Sequence, residues 1–513
     1  MAVATTSSSP SVASIATDSL KQLERESDRP PAQSAEDGHQ PVATALLSGA
    51  TRWDRMMSVS PIQIVRILKI YGMKEHKGHV HEEAGKDVRG ALHAVGAVAK
   101  VAKGEMWKEL VNAGIVFALK AQGVSYVYPL EILRDALATC AVPPKDTEKK
   151  MVEDLKRHWS SIMQHVWSER RATESQSDAQ VAAQITGRSI FMDPSLFNII
   201  FEPTDLTLAI IFRDWMQSNS ARDSRANLTI LLPLFSKRFP PRWNTHLARH
   251  PPPPPKKLLE RILLGLTKHT PASHSKQNTK RAPPPPNLKH VNPATHSATV
   301  AATAALSAFA EHLAEFTEQV LADARVEYDF FHALFRAARA RGDGDGVGRA
   351  FVRATFKSTP FWAANANVMR RAADAFRGAE SDGRARAEDV FVSALTTHSA
   401  MLDGVDDDGF DVLLGTWLEG GLLDVLDDAM DVVMQVARGT GVLVGILGAL
   451  STHLPSLSPA TRAAFRTHLP RPHMSEALRG AADSDPTAER GAGPVLDTLE
   501  LSLLRSHPHP DSI

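Results

Sequence analysis

Along most of this chain apolar residues recur every three or four positions, the period of a helix with one buried face. Ile64, Ile67, Leu68 and Tyr71 keep that spacing. Ahead of them, Ser60-Pro61-Ile62-Gln63 has the order of a capping box. The Ser hydroxyl takes a free amide, Pro sits at the first helical position, and Gln reaches back. Gly72 is the stop signal. Val88, Ala91, Leu92, Val95, Ala99 and Ala102 make a second stripe. Two shorter helices are predicted from Trp107 through Leu119, then others over 129–140, 148–170, 204–217 and 225–235. In 148–170 the buried face is Val152, Leu155, Trp159, Ile162 and Val166. Further on, 297–341 is predicted as two helices, with Phe309, Leu313, Phe316, Val320 and Leu321 on one face. Helices follow near 349–357, 361–376, 386–399, 409–438, 442–452, 459–467 and 494–505. Alternation of period two is nearly missing, so the predicted fold class is all-α.

Three stretches lack the period. Residues 1–50 are polar and low in complexity and are expected to be a disordered tail, as are 506–513. Residues 236–298 carry the runs Pro251–Pro255 and Pro283–Pro286. Between 237 and 291 there are twelve Lys or Arg residues, and Glu260 is the only acid, a net charge of +11. Consecutive prolines hold polyproline II and cannot join a helix. Only Leu258 to Leu266 has enough apolar residues for a short helix, and 236–298 is expected to be a disordered basic linker. The expected organisation is therefore a helical domain over 51–235, that linker, and a second helical domain over 299–505. The whole-chain net charge of zero conceals this asymmetry, because Met401 to Ala437 carries ten acids and no Lys or Arg.

One internal match links the two domains. Trp107-x-x-Leu110-x-x-Ala113-Gly114-Ile115-x-x-x-Leu119 aligns with Leu414-x-x-Trp417-x-x-Gly420-Gly421-Leu422-x-x-x-Leu426. Each string reads as a helix that ends at a small residue and a glycine, turns sharply, and restarts with its apolar face inward. Any amphipathic helix with a glycine cap gives a similar string. The pattern resembles the junction between the second and third helices of armadillo repeats, carried here by Leu110, Ala113, Gly114, Ile115 and Leu119. The resemblance implies two armadillo- or HEAT-like regions whose helices stack on their neighbours. The chain also resembles the long helical region of basidiomycete proteins that often carry a C-terminal MYND zinc finger. That finger needs many zinc-binding cysteines, and Cys140 is the only cysteine present, so its zinc chemistry does not carry over.

Candidate chemistry is sparse. His76, His79 and His81 stand beside Glu82 and Glu83, but in a Lys- and Gly-flanked loop that reads as solvated rather than as a metal site. Asp343-Gly-Asp345-Gly-Val347-Gly348 begins like a calcium loop. Val347 and Ala354 then occupy places where an EF-hand needs oxygen ligands, which leaves a helix–helix turn. Gly439-Thr-Gly441-Val-Leu-Val-Gly445 has dinucleotide-loop spacing without the strand such a loop must follow. Cys140 lies on an apolar helix end, where a thiol is buried and inert. No metal or cofactor is expected.

The proline runs fit charge-flanked polyproline ligands of SH3-like grooves. The residues concerned are Arg249, Pro252, Pro255 and Lys256 in one run and Lys280, Pro283 and Pro286 in the other. The competing reading is a stiff soluble spacer. The basic charge could also attract nucleic acid, but no aromatic residue falls between 244 and 308 to stack on bases. No apolar run reaches the roughly 20 residues of a membrane span. With one cysteine and no apolar leader, a cytoplasmic or nuclear protein is expected rather than a secreted one. The functional expectation is a non-enzymatic helical scaffold for protein–protein interaction. The alternative is an enzyme with an unsignposted site in an α-helical pocket. A pocket with two or more convergent ionisable groups would favour the enzyme, and a long groove lined by successive helices the scaffold.

Overall fold

The computed structural model describes residues 52–73, 82–121, 128–168, 178–218, 221–268, 293–314, 321–340, 346–403, 405–436, 438–469 and 471–484. Among these residues the fold is all-α, and no strand occurs. Two compact units form, Met1–Asp214 with Thr229–Pro254, and Trp215–Leu228 with Pro255–Ile513.

The first unit opens with α1 (Arg52–Val59), α2 (Pro61–Met73), α3 (Glu82–Ala99), α4 (Gly104–Asn112), α5 (Ile115–Ala121), α6 (Tyr128–Ala138), α7 (Asp146–Ser168) and α8 (Asp178–Met192). The sequence pattern starts at Ser60, yet α1 precedes it, because Trp53 and Met57 bury at helical spacing in an otherwise polar segment. Each helix packs on neighbours one to three elements along: α2 on α5, α3 on α6, α5 on α7, α6 on α8. Such local packing is how a helical repeat builds a continuous core without long-range pairings. In α7 the predicted face is buried throughout, from Val152 to Val166. Glu148 in its first turn accepts from the amides of Lys145 (2.7 Å) and Ala141 (3.0 Å), satisfying donors the helix cannot. Trp159 donates its indole N–H to Thr207 Oγ1 at 2.8 Å inside the core. Arg188 of α8 donates to the carbonyls of Leu137 (3.1 Å) and Cys140 (2.8 Å), closing the end of α6.

Then come α9 (Phe197–Ile200), α10 (Thr207–Gln217), α11 (Ala221–Ser236) and α12 (Pro241–Arg249). The second unit continues with α13 (Pro255–Lys268), α14 (Pro293–Ala314), α15 (Leu321–Arg339), α16 (Gly346–Phe356), α17 (Thr359–Gly378) and α18 (Ser381–Leu402). It ends with α19 (Asp407–Glu419), α20 (Leu422–Asp428), α21 (Met430–Gln435), α22 (Gly439–His453), α23 (Pro459–Thr467) and α24 (Pro472–Ser484). Helix α14 packs on α16 and α17, α15 on α18, and α17 on α18 and α20.

The expected disordered linker is corrected by α12, and the short helix expected within it over Leu258–Leu266 is found and extends over Pro255–Lys268 as α13. Trp243 and Leu247 bury one face of α12, and Leu258, Leu259, Ile262 and Leu263 bury one face of α13. At about 1.5–3 kcal/mol per buried large apolar side chain, these outweigh the low complexity of the flanking prolines. Proline also helps rather than hinders: Pro241 and Pro255 stand at the first helical positions, where no N–H is required. Residues 269–292 lie outside the described residues, as do 1–51 and 485–513 with the helix expected over 494–505.

The two Gly-centred junctions are equivalent. Gly114 (φ +83) separates α4 from α5, and Gly421 (φ +79) separates α19 from α20. The hydrogen bonds superpose with a shift of 307 positions. Ala113 N–H donates to Glu109 O (2.8 Å) as Gly420 N–H donates to Thr416 O (2.9 Å), and Gly114 N–H donates to Val111 O (3.0 Å) as Gly421 N–H donates to Leu418 O (3.1 Å). Trp107 and Trp417 are both buried, at 2% and 0% exposure. Around the second junction the core is a chain of rings. Trp215 meets Phe309 at 4.6 Å, Phe309 meets Phe331 at 5.4 Å, and Phe331 meets Phe361 at 4.6 Å. Phe361 then meets Trp362 at 5.0 Å and Trp362 meets Trp417 at 5.6 Å.

The acidic stretch 401–437 is not an uncompensated patch. Asp431 pairs with Arg377 (2.5 Å), Asp424 with Arg471 (2.5 Å) and Asp407 with His453 (2.7 Å). Asp406 caps α19 through Gly409 N–H at 2.8 Å, and buried Asp427 accepts from Met474 N–H at 2.9 Å. The stretch predicted as one helix over 409–438 is divided into α19, α20 and α21, with breaks at Gly420-Gly421 and Ala429.

Candidate functional site

Three places in the second unit concentrate polar chemistry, and two of them are sealed. In the first, Glu327 of α15 accepts from Ser224 Oγ (2.6 Å) and Trp215 Nε1 (3.3 Å) and pairs with His312 Nδ1 at 3.2 Å. His312 and Glu327 are each 1% exposed. Burial pushes the imidazole toward its neutral form, but the Glu327 hydrogen bond and charge, with the Ser218 carbonyl, hold it above the ordinary histidine value. Ser, His and acid are thus assembled, but not as a nucleophilic triad. His312 Nε2 lies 3.0 Å from the Ser218 carbonyl, and Ser224 contacts the carboxylate instead of the imidazole. A nucleophile needs the base on its own oxygen and an opening to substrate.

In the second place, Tyr328 donates to Asn365 Oδ1 at 2.5 Å, and Asn365 Nδ2 lies 3.2 Å from both His398 Nδ1 and the Ala394 carbonyl. His332 Nε2 lies 2.9 Å from Thr397 Oγ1. Burial pushes His398 down to about 3 and His332 down to about 4, and it raises the Tyr328 phenol. These groups stay neutral near pH 7 and join α15, α17 and α18 in their interior. Both places therefore act as specific interior locks, each needing its partners because an unpaired buried polar group costs about 1–3 kcal/mol.

The third place is open. A cleft of about 630 Å³ lies between α14 and α16 and ends at Ser358 and Pro360, the start of α17. One wall presents Thr299, Thr303 and Ser307, the other Arg349, Arg353 and Lys357. Both sets fall at i, i+4, i+8, so each forms one ridge along its helix. The local cause is plain in both sequences. Helix α14 buries Ala298, Ala302, Ala305, Leu306 and Phe309, which turns positions 299, 303 and 307 outward. Helix α16 buries Val347, Ala350, Phe351 and Phe356, which leaves 349, 353 and 357 exposed. Thr303 Oγ1 donates to the Thr299 carbonyl at 2.9 Å, so its lone pairs remain as acceptors. Among the described residues the lining includes no Asp or Glu and no aromatic ring. Among the described residues no acid pairs with Arg349, Arg353 or Lys357. Elsewhere in the unit, Arg325 reaches Asp389, Arg377 reaches Asp431, and Arg384 reaches Gln435 Oε1 at 2.6 Å.

The residues expected to contact a partner lie elsewhere. Arg249 is the exposed last residue of α12, Pro252 is half-buried, and Pro255 and Lys256 form the first turn of α13. The first proline motif is thus partly helical, and the backbone outside helices is confined to 250–254. Lys280, Pro283 and Pro286 lie outside the described residues, as do His76, His79, His81, Asp343 and Asp345. No group of three His, Cys, Asp or Glu positioned for a metal occurs among the described residues. Gly439, Gly441 and Gly445 are inside α22, a helix rather than a phosphate loop. Cys140 is buried, and burial, reinforced by Glu148, pushes its thiol up to about 12. The cleft cations carried a legible four-residue spacing in the sequence. Their facing hydroxyl ridge, some fifty positions earlier, did not announce its partner.

No protein-family model matches the chain, and no curated protein matches it. Among solved structures it is similar to a circular tandem repeat protein with novel repeat topology and enhanced subunit contact surfaces. The identity is 11%, over 88% of this chain and 97% of that one, with a TM-score of 0.26. No helix among the described residues is long and apolar enough to cross a membrane.

Proposed function

We propose that this chain is a helical scaffold, armadillo-like in its glycine junctions, that binds protein partners through the basic cleft of its second unit. The observation that carries the reading is the set of three cations, Arg349, Arg353 and Lys357, in an open cleft whose lining among the described residues holds no acid. Three like charges on one helix face repel one another, and i, i+4 like pairs cost a few tenths of a kcal/mol each. A negatively charged partner relieves that repulsion. Side chains from two helices line the cleft, as a scaffold groove requires. Among the described residues the ionisable groups that line it are cations.

The test is affinity capture from lysate with the intact chain and with Arg349→Glu/Arg353→Glu, read by quantitative mass spectrometry. Both positions are exposed, so the circular-dichroism spectrum and melting temperature should be unchanged. A defined set of proteins should be held by the unaltered chain, released by raised salt, and lost from the variant. An identical set on both proteins would overturn the reading.

A further inference from the structure

We propose that the cleft between α14 and α16 takes an extended peptide whose acidic side chains fall at every second position. The inference rests on the scaffold reading and specifies the ligand of the same site. Arg349 and Arg353 lie four residues apart on α16, and Lys357 follows its last residue with its N–H still on the Arg353 carbonyl (3.3 Å), so successive cations advance by about 6 Å per step at 1.5 Å rise per residue. An extended peptide advances about 3.3 Å per residue, and side chains two apart point to the same face about 6.6 Å apart. The two periods agree within about 1 Å, so three acids in an alternating sequence reach Arg349, Arg353 and Lys357 together. Acids at consecutive positions point to opposite faces, and acids four apart overshoot by a full step.

The other wall fits the same ligand. An extended chain running along α16 turns backbone N–H and C=O groups sideways. The Thr299, Thr303 and Ser307 ridge lies along that side at the same four-residue interval. The Thr303 hydroxyl proton is already given to the Thr299 carbonyl, so this oxygen is set to accept a peptide N–H. The cleft closes at Ser358, the residue preceding the twenty-residue helix α17, whose N-terminal end adds positive potential beside Lys357. The volume of about 630 Å³ lies within the range of peptide- and ligand-sized pockets. Single-stranded nucleic acid shares the charge but needs aromatic faces for its bases, and the lining offers none among the described residues. A peptide is therefore the occupant that uses both walls.

The experiment is fluorescence anisotropy on the intact chain with two labelled seven-residue peptides of identical composition. One has three Glu alternating with Ser, the other three contiguous Glu flanked by Ser. Three contiguous acids keep two on the cation face and turn one away, and an exposed charge pair is worth up to about fivefold in affinity, so the contiguous peptide should bind up to about fivefold more weakly. The alternating peptide should bind several-fold more tightly, and Lys357→Ser, which leaves each peptide two pairs, should remove the difference, whereas Arg353→Ser should not. Equal affinity for the two peptides would reduce the cleft to a non-specific cationic surface and overturn the proposal. Tighter binding of a short single-stranded DNA of equal charge would also overturn it, in favour of nucleic acid. If neither peptide binds while Arg349→Glu/Arg353→Glu still loses its captured proteins, the register is wrong and the scaffold reading stands. If neither occurs, both fall.

Discussion

Three glycines within seven residues of the second junction should respond to alanine with different signs. Gly421 has φ +79 and ψ 23, the left-handed region. An alanine there costs about 1–2 kcal/mol through contact of its Cβ with the backbone. Restriction of the unfolded chain offsets about 0.4–1 kcal/mol of this, leaving a net loss near 1 kcal/mol. Gly420 has an ordinary φ of −74, yet a Cβ there would lie 3.1 Å from Ala363 N and 3.2 Å from Trp362 C. Those atoms are backbone and cannot rotate away, so overpacking of about 1–3 kcal/mol follows. Gly415 lies inside α19, and a Cβ there meets nothing within 4 Å. Alanine should stabilise that position by about 0.5–1 kcal/mol, the usual helix-interior gain. Hydrogen exchange by mass spectrometry on peptides spanning 410–428 reads these local changes directly. With 1.4 kcal/mol per tenfold change, Gly421→Ala should lower protection of α20 amides about five- to tenfold, and Gly415→Ala should raise that of α19 about threefold. Protection in Gly421→Ala equal to or above that of the unaltered chain would refute the left-handed junction. A loss in Gly415→Ala would refute the open environment assigned to that face.

Acid should destabilise the second unit through two neutral histidines, buried His398 and half-buried His332. The folded values of His332 (about 4) and His398 (about 3) lie below the unfolded value of 6.5. The unfolded chain therefore takes up protons that the native state refuses, and each site tilts stability by up to about 1.4 kcal/mol per pH unit. Stability should be full above pH 6.5 and fall toward pH 4, and urea midpoints should show a shallower decline in His398→Gln; an unchanged slope would count against the assignment. His312 works in the opposite sense. Its raised value means its contribution is present below the ordinary histidine value and is lost as pH rises past the folded one. Below pH 6.5, where the raised value keeps His312 protonated, Glu327→Gln should cost about 3 kcal/mol by leaving a buried cation without its counter-charge, and a loss under 0.5 kcal/mol in urea titration there would count against that pairing. Ile262→Ala should cost about 2–5 kcal/mol, since Ile262 is fully buried. It should also open Lys256, Lys257 and Arg261 to trypsin; unaltered cleavage rates would mean that α13 is not packed.

The helical class was legible because the 3.6-residue period of burial is written into each segment separately, as in Val152 to Val166. The glycine junctions were legible for the same reason. A left-handed residue between two apolar stripes is a local requirement, met at Gly114 and at Gly421 by the same residue types. Composition misled where local polarity and tertiary burial disagree. In 236–268 the prolines are conspicuous, but Trp243, Leu247, Ile262 and Leu263 bury against other helices, and burial energy depends on what lies opposite. The acids of 401–437 looked unpaired because Arg377, His453 and Arg471 lie beyond the stretch and reach it only through helix packing. The cleft follows the same rule. Each ridge is set by which residues its own helix buries, so 349, 353 and 357 share a face on sequence grounds alone. That the face opposes Thr299, Thr303 and Ser307 is decided by the packing of α16 on α14, where small alanines let the two helices approach. Helical periodicity assigns a residue to a face, and only tertiary contact assigns that face a neighbour.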